Sequence, residues 1–361
     1  YPDLFETVVI STAQHRQMLD QVFTLFKIEP DIDLSVMRPN QNLTDLTSLV
    51  LQEMSKTLDD VQPDLLLVQG DTTTVVAASL AGFYKKIPIG HVEAGLRSHN
   101  KYSPFPEEVN RQLASVLADI HFAPTALAKT KLLNEGIAEE KIVITGNTVV
   151  DALSIQLKRP FQFENTPLET VPFDENKRVL FVTSHRRESW GESLENTCAA
   201  LKELVDTFSD LIIVYPVHMN PNVREPVMRL LSHTPGIYLT DPIDYLTCIN
   251  LMKKSYLILT DSGGIQEEAP ALKIPVLVLR ELTERPEAFQ AGMAKVVGTD
   301  RNKIVQEASL LLNDSSVYRA MTSGNNPYGD GHASERIVKV IQRWSQQKEN
   351  TLLEPSEEFN P

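Results

Sequence analysis

The chain has 361 residues, more than one ordinary core supports and enough for two domains of roughly 150 residues each. Apolar residues make up 42% and charged residues 23%, a balance that excludes a disordered chain. With 34 Lys and Arg against 48 Asp and Glu the net charge is −14, so no nucleic-acid partner is expected and any anionic ligand must be held by a local site.

Runs rich in apolar and β-branched residues predict strands at 7–11, 65–70, 87–92, 120–123 and 142–146, with helical patterns at 17–26, 43–58, 73–84 and 107–117 between them. The pattern then restarts, and 178–184, 211–217, 237–239, 256–260, 276–279 and 295–297 predict a second series of strands. Such alternation predicts parallel sheets with crossover helices. The expected fold is therefore α/β, two Rossmann-like domains facing a central cleft, with ligands beyond the strands' carboxyl ends. Residues 152–176, with Pro160, Pro167 and Pro172 and no clear period, read as a linker and set the domains at 1–155 and 176–330. NNPYGDGHA at 325–333 is dense in turn formers, and an amphipathic helix over 334–348 is expected to pack back on the first domain. The longest apolar runs are of strand length, so no membrane span is expected. Cys198 and Cys248 lack zinc spacing and read as buried thiols of a reducing cytoplasm.

Candidate chemistry sits at the ends of predicted strands. QGDTTT places Asp71 between a strand and a helix, where it either caps the helix or faces the ligand. GHVEAGLRS repeats the arrangement with His91, Glu93 and Arg97. SPFPEEVNRQ opens a helix with Glu107 and Glu108, followed by Arg111; acids in a first turn are also favoured by the helix dipole alone. Clustered carboxylates raise the proton affinity of at least one member, as general acid–base chemistry requires. In the second half, SHRRESWGE sets His185, Arg186, Arg187 and Glu188 after a strand, and YPVHMNP sets His218 similarly. LTDSGGIQEE reads as strand, turn and helix start: Ser262, Gly263 and Gly264 would let backbone N–H groups approach a phosphate, with Asp261 or Ser262 as cap and Glu268 one turn on as an acceptor for ribose hydroxyls. Arg280 and Arg285 follow the next strand and suit a diphosphate or a surface ion pair. No H-E-x-x-H or paired-cysteine spacing occurs, so neither metal nor cofactor is expected.

Taken in order, QGDTTT, GHVEAGLRS, YSPFPEEVNRQ, ITGNTVVDAL, SHRRESWGE, YPVHMNP, LTDSGGIQEEAP, VLVLRELTERPEA and NPYGDGHASERI closely resemble the non-hydrolysing UDP-N-acetylglucosamine 2-epimerases. The resemblance implies a glycosyltransferase-B-like fold and a cytoplasmic homodimer. It also implies interconversion of UDP-GlcNAc and UDP-ManNAc, by elimination and re-addition of UDP, for a cell-surface polysaccharide precursor. It puts Asp71, Glu93 and Glu107 on the catalytic carboxylates and His185 on a histidine contacting the UDP-sugar. Ser262, Gly263 and Gly264 fall on the diphosphate loop, Glu268 on the ribose acceptor and Arg285 on a further substrate contact; Arg97 and Arg111 are also expected to bind substrate. UDP-GlcNAc is implied as an allosteric activator too, with Gln14 and Gln17 of AQHRQ at that site and Asn40 where some members carry a basic residue. Ile243 and Cys248 stand where polar or aromatic residues occur in some relatives. Members begin with a strand and a Gly-Thr-Arg-Pro-Glu loop that precede the first residue here, so this chain is expected to be less stable and nearly inactive beside a longer form. Three other readings stay open from the residues alone: a UDP-sugar glycosyltransferase, a hydrolysing epimerase, and a nucleotide-sugar-binding protein without turnover.

Overall fold

The computed structural model describes residues 1–14, 16–38, 41–186, 189–281, 285–346 and 353–361, with 16–18 described by their backbone alone. The chain forms two compact units, 1–148 with 331–360, and 149–330 with Pro361.

In the first unit β1 (Ile10–Ser11) and β2 (Ile32–Asp33) form a small parallel pair, while β3 (Leu66–Gln69), β4 (Ile89–Val92), β5 (Ile120–Ala123) and β6 (Ile142–Ile144) form a separate parallel sheet in that order. The predicted strand at 7–11 shrinks to two residues: the segment before it is largely exposed, and the Val9 amide donates to the Asp31 carboxylate at 2.7 Å instead of to a strand. β2 was not legible, because two residues carry no period. The helix Ala333–Ser345 lays Ile337 and Val340 against Val92, Ile120, Phe122 and Val143, which makes the end of the chain part of the first unit.

The second unit holds β7 (Arg178–Thr183), β8 (Leu211–Pro216), β9 (Ile237–Thr240), β10 (Leu257–Thr260), β11 (Val276–Val278) and β12 (Ala294–Val296), in the order β12-β11-β10-β7-β8-β9 and all parallel. Leu180, Phe181 and Val182 of β7 are fully buried in succession, as expected of a central strand covered on both faces. Each such side chain contributes roughly 1.5–3 kcal/mol. The strand order is that of a doubly wound dinucleotide-type sheet, and its direction reverses between β7 and β10.

The boundary differs from the expected 155. Val150 and Leu153, on the helix Thr148–Gln156, pack with Val179 and Phe181 of the second sheet, so this helix joins the second unit. Nor is 152–176 a free linker: Leu168 and Val171 are buried in the same core, and the rings of Phe163 and Phe173 stack at 4.3 Å. A proline-rich stretch without a period can still fill a core through isolated apolar side chains.

One layer of the first sheet has a cost that depends on pH. His91 and His121 are register partners on β4 and β5 and both are fully buried. Burial lowers the His91 pKa to about 4 and, with the nearby His91, that of His121 to about 3. Folded values below the unfolded 6.5 mean that these rings destabilise the fold progressively as pH falls from 6.5 toward 4, each by about 1.4 kcal/mol for every pH unit. Neither ring nitrogen of His121 has a partner among the described residues. His121→Leu is therefore expected to move the midpoint of acid unfolding, followed by circular dichroism, down by about half a pH unit or more. An unchanged midpoint would rule out the buried rings as the acid-sensitive element.

Candidate active site

Asp71 and Glu93 follow neighbouring strands, β3 and β4, whose ends pair at Gln69 and Val92. Asp71 does not cap the next helix. Thr72 does, accepting from the Val75 amide, and so leaves the Asp71 carboxylate to other partners. Arg111 reaches it from the helix Glu107–Leu117 at 2.5 Å, and Asn110 of the same helix donates to the Asp71 carbonyl at 2.9 Å. Glu93 adopts φ +65°, a conformation that costs a non-glycine residue about 1–2 kcal/mol. It brings the carboxylate over Gly70: a Cβ added there would lie 3.7 Å from Glu93 Oε2. Gly70 itself has φ +78° and turns the chain between β3 and Asp71. His91 is held neutral by burial and donates Nε2–H to the Gly70 carbonyl at 2.8 Å, fastening that turn to β4.

Glu107 is half-buried at the start of its helix, three and four residues before Asn110 and Arg111 and so on their face. The structure thus brings together Asp71, Glu93 and the helix that bears Glu107. Glu108 takes a role the sequence did not reveal. Fully buried, it accepts from the amides of Ser98 and His99, both at 2.9 Å, and lies 3.4 Å from Arg111.

The buried guanidinium of Arg97 is committed to Glu135 through two bonds of 2.7 Å, to Ser115 and to the Leu96 carbonyl, and so braces the loop that follows Glu93. Arg111, also buried, is bound to Asp71 and positions it. Gln14 accepts from the Thr74 hydroxyl at 2.7 Å, on the helix that follows Asp71. The side chain of Gln17, and Asn40, Arg187 and Glu188, lie outside the described residues.

In the second unit the loops after β7 and β10 lie side by side at the strand-order reversal, where doubly wound sheets bind nucleotides. The Thr183 and Thr260 hydroxyls are 2.6 Å apart at the two strand ends. Contrary to the expectation from sequence, Asp261 does not cap the helix Gly263–Ala271. It reaches across to the β7 loop and accepts from the amides of His185 and Arg186 at 2.8 and 2.9 Å and from the hydroxyls of Ser184 and Ser189. His185 Nδ1 lies 3.0 Å from Asp261 Oδ1. Burial alone would raise the carboxyl's pKa, but these donors, the imidazole first, hold it below the usual range. A charged Asp261 beside Nδ1 favours the tautomer that carries its proton on that nitrogen. The His218 ring lies parallel, with centroids 6.0 Å apart.

Ser262 stands at the N-cap position without a side-chain cap, so the first turn at Gly263 and Gly264 is left to other acceptors. Packing does not demand glycine at 264, since an added Cβ would meet nothing closer than Glu268 Oε2 at 4.0 Å. Glu268 is buried and accepts from the Tyr245 hydroxyl at 2.6 Å. Burial raises its pKa to about 7. The Nε of Arg285 is bonded to Glu267, and the fully buried Tyr328 of the NPYGDG turn joins the Arg285 carbonyl to the Ala288 amide. Among the described residues no cluster of three or more His, Cys, Asp or Glu is placed to hold a metal, and no helix is long and apolar enough to cross a membrane.

A family model described as UDP-N-acetylglucosamine 2-epimerase matches residues 2–342. The UDP-N-acetylglucosamine 2-epimerase of Yersinia pestis is 52% identical over 343 residues, covering 94% of this chain and 91% of its own, and that of Escherichia coli K12 is 51% identical over 341 residues, covering 93% and 91%. The crystal structure of the Neisseria meningitidis UDP-GlcNAc 2-epimerase bound to UDP-GlcNAc matches with a TM-score of 0.86 at 47% identity, covering 94% of this chain and 92% of that one. By sequence along nearly its whole length and by fold, the chain belongs to the UDP-N-acetylglucosamine 2-epimerase family.

Proposed function

We propose that the chain interconverts UDP-GlcNAc and UDP-ManNAc, with no acceptor, cofactor or metal, using Asp71, Glu93 and Glu107 for proton transfer and the Gly263–Gly264 helix start for the nucleotide. One of Asp71, Glu93 and Glu107 removes the carbon-2 proton while the carbon-1–oxygen bond to UDP breaks, which leaves 2-acetamidoglucal and UDP. A carboxylate then returns a proton to the opposite face of carbon 2 as UDP re-adds at carbon 1. The carbon-2 hydrogen is weakly acidic, so a positioned base is needed. The departing diphosphate needs donors already in place, which the Gly263–Gly264 helix start and the His185 ring beside Asp261 supply in this reading.

The observation that carries this reading is the placement of two carboxylates at adjoining strand ends. Thr72 takes over the capping that Asp71 would otherwise perform, and Glu93 is held over Gly70 at a cost in backbone energy. A transferase with a single base has no need of both. Purified protein given UDP-GlcNAc alone, compared with a form extended by the strand and loop with which family members begin, is expected to yield UDP-ManNAc by phosphorus and proton NMR, with the extended form much the faster. Free ManNAc, or turnover only with an added acceptor, would replace this reading with one of its rivals.

The assembly in this reading is a cytoplasmic homodimer. Supporting it, Val109, Leu113 and Val116 form an exposed apolar stripe on one helix, which packs beside the helix carrying exposed Phe83 and Tyr84; sedimentation at micromolar concentration checks the assembly. The two unpaired thiols suit a reducing compartment. UDP-GlcNAc also acts as activator at the Gln14 segment, whose bond to Thr74 leads to the Asp71 turn; sigmoidal dependence of rate on UDP-GlcNAc is the corresponding observable.

A further inference from the structure

A carboxylate that reads ribose must stay charged and keep one oxygen toward the ligand. Glu268 meets neither condition unaided. It is buried, and the adjoining Glu267 adds a second negative charge, which together disfavour ionisation. Its terminal torsion is also broad, so nothing intrinsic keeps either oxygen in place.

Tyr245 supplies both missing conditions. It is the first residue of the helix Tyr245–Lys254, which is anchored by its N-cap Asp244 accepting from the Thr247 amide at 2.7 Å. Its hydroxyl donates to Oε1 of Glu268 at 2.6 Å. The other oxygen, Oε2, is then the one facing Gly264, 4.0 Å from the position of a Cβ there. The phenol therefore marks one oxygen for the protein and leaves the other toward the diphosphate turn. Burial and the neighbouring Glu268 raise the phenol's own pKa, so it stays protonated and can only donate in this pair. The remaining titratable group on that helix near Glu268 is the Cys248 thiol, whose pKa burial also raises, so it stays neutral; Glu267 on Glu268's own helix is engaged by Arg285.

We propose that Tyr245 is the positioning residue that sets Glu268 for recognition of the ribose hydroxyls, and so determines the preference for a ribonucleoside diphosphate. This rests on the reading of Glu268 as the ribose acceptor. Tyr245 touches no substrate and acts through Glu268.

The test is calorimetric binding of UDP and of 2′,3′-dideoxy-UDP between pH 6 and 8.5 to wild type, Tyr245→Phe, Glu268→Gln and the double variant. Tyr245→Phe keeps the ring and removes only the hydroxyl. It is expected to weaken UDP about tenfold at pH 7, to leave dideoxy-UDP unchanged, and to move the rise of UDP affinity to higher pH. The hydroxyl's donation favours the ionised form, so its loss leaves Glu268 neutral over more of the range. In the Glu268→Gln background the same change is expected to add nothing. Equal losses for both nucleotides, or an unmoved pH profile, would mean that Tyr245 only supports the fold, and the proposal falls. If Glu268→Gln itself keeps the preference for UDP over the dideoxy form, the ribose assignment falls, and the proposal with it.

Discussion

Glu93→Gln and Asp71→Asn are each expected to lower kcat by about 10²–10⁴-fold while UDP affinity stays at the wild-type level. Both changes keep side-chain shape and remove the ability to carry a proton. Asn at 71 can still accept from Arg111, so the helix Glu107–Leu117 keeps that anchor, and Arg111 retains Glu108 beside it. Gln at 93 keeps its place above Gly70. UDP affinity stays because the nucleotide is assigned to the second unit, whose Gly263–Gly264 turn and Glu268 are untouched. Initial-rate kinetics together with calorimetric UDP binding separate the two quantities. Wild-type kcat in both variants would take these carboxylates out of the mechanism; a loss of UDP binding equal to the loss of rate would make them structural.

Asp261→Asn is expected to be damaging in both stability and rate. The carboxylate is fully buried and is approached by two amides, two hydroxyls and the His185 ring. An amide at that position turns an NH2 toward donors on one side and leaves at least one of them without an acceptor. Breaking such a buried network costs about 3–5 kcal/mol, and removing the negative charge beside the imidazole is expected to lower kcat by about 10²-fold or more. A melting temperature read by calorimetry beside kcat distinguishes the two effects. His185→Gln, which keeps Asp261 and its amide donors, is expected to lose rate with a much smaller loss of stability. If Asp261→Asn melts and turns over like the wild type, the Asp261–His185 pair neither holds the loop nor orients the ring.

The central strands and their order of appearance were legible because buried parallel strands are written as short apolar runs between turn formers, as in LLLV and LILT. Positions at strand ends followed from the same reading, which is why the sequence already placed Asp71, Glu93, His185 and the Ser262–Gly264 turn just beyond strands. What remained hidden was pairing at long range. Arg97 and Arg111 look alike in sequence, each a few residues past a candidate acid, yet one is consumed by Glu135 and the other holds Asp71. Asp261 resembles a helix cap in DSGG, but the adjacent strand end presents better donors. Tyr245 and Tyr328 act across 23 and 43 residues of chain, on Glu268 and on Arg285, and no local pattern announces either. Leu168 and Val171 show the same limit in packing, since a stretch without periodicity still fills the second core.

The central proposal is that Asp71, Glu93 or Glu107 moves the carbon-2 proton of the UDP-sugar. It is tested most directly by incubating the protein with UDP-GlcNAc in deuterated water and following carbon 2 by proton NMR. UDP-ManNAc carrying deuterium at carbon 2, with no acceptor present and with exchange abolished in Glu93→Gln, is the expected result. UDP-ManNAc that keeps its original hydrogen, or exchange that proceeds unchanged in the Asp71 and Glu93 variants, would contradict it.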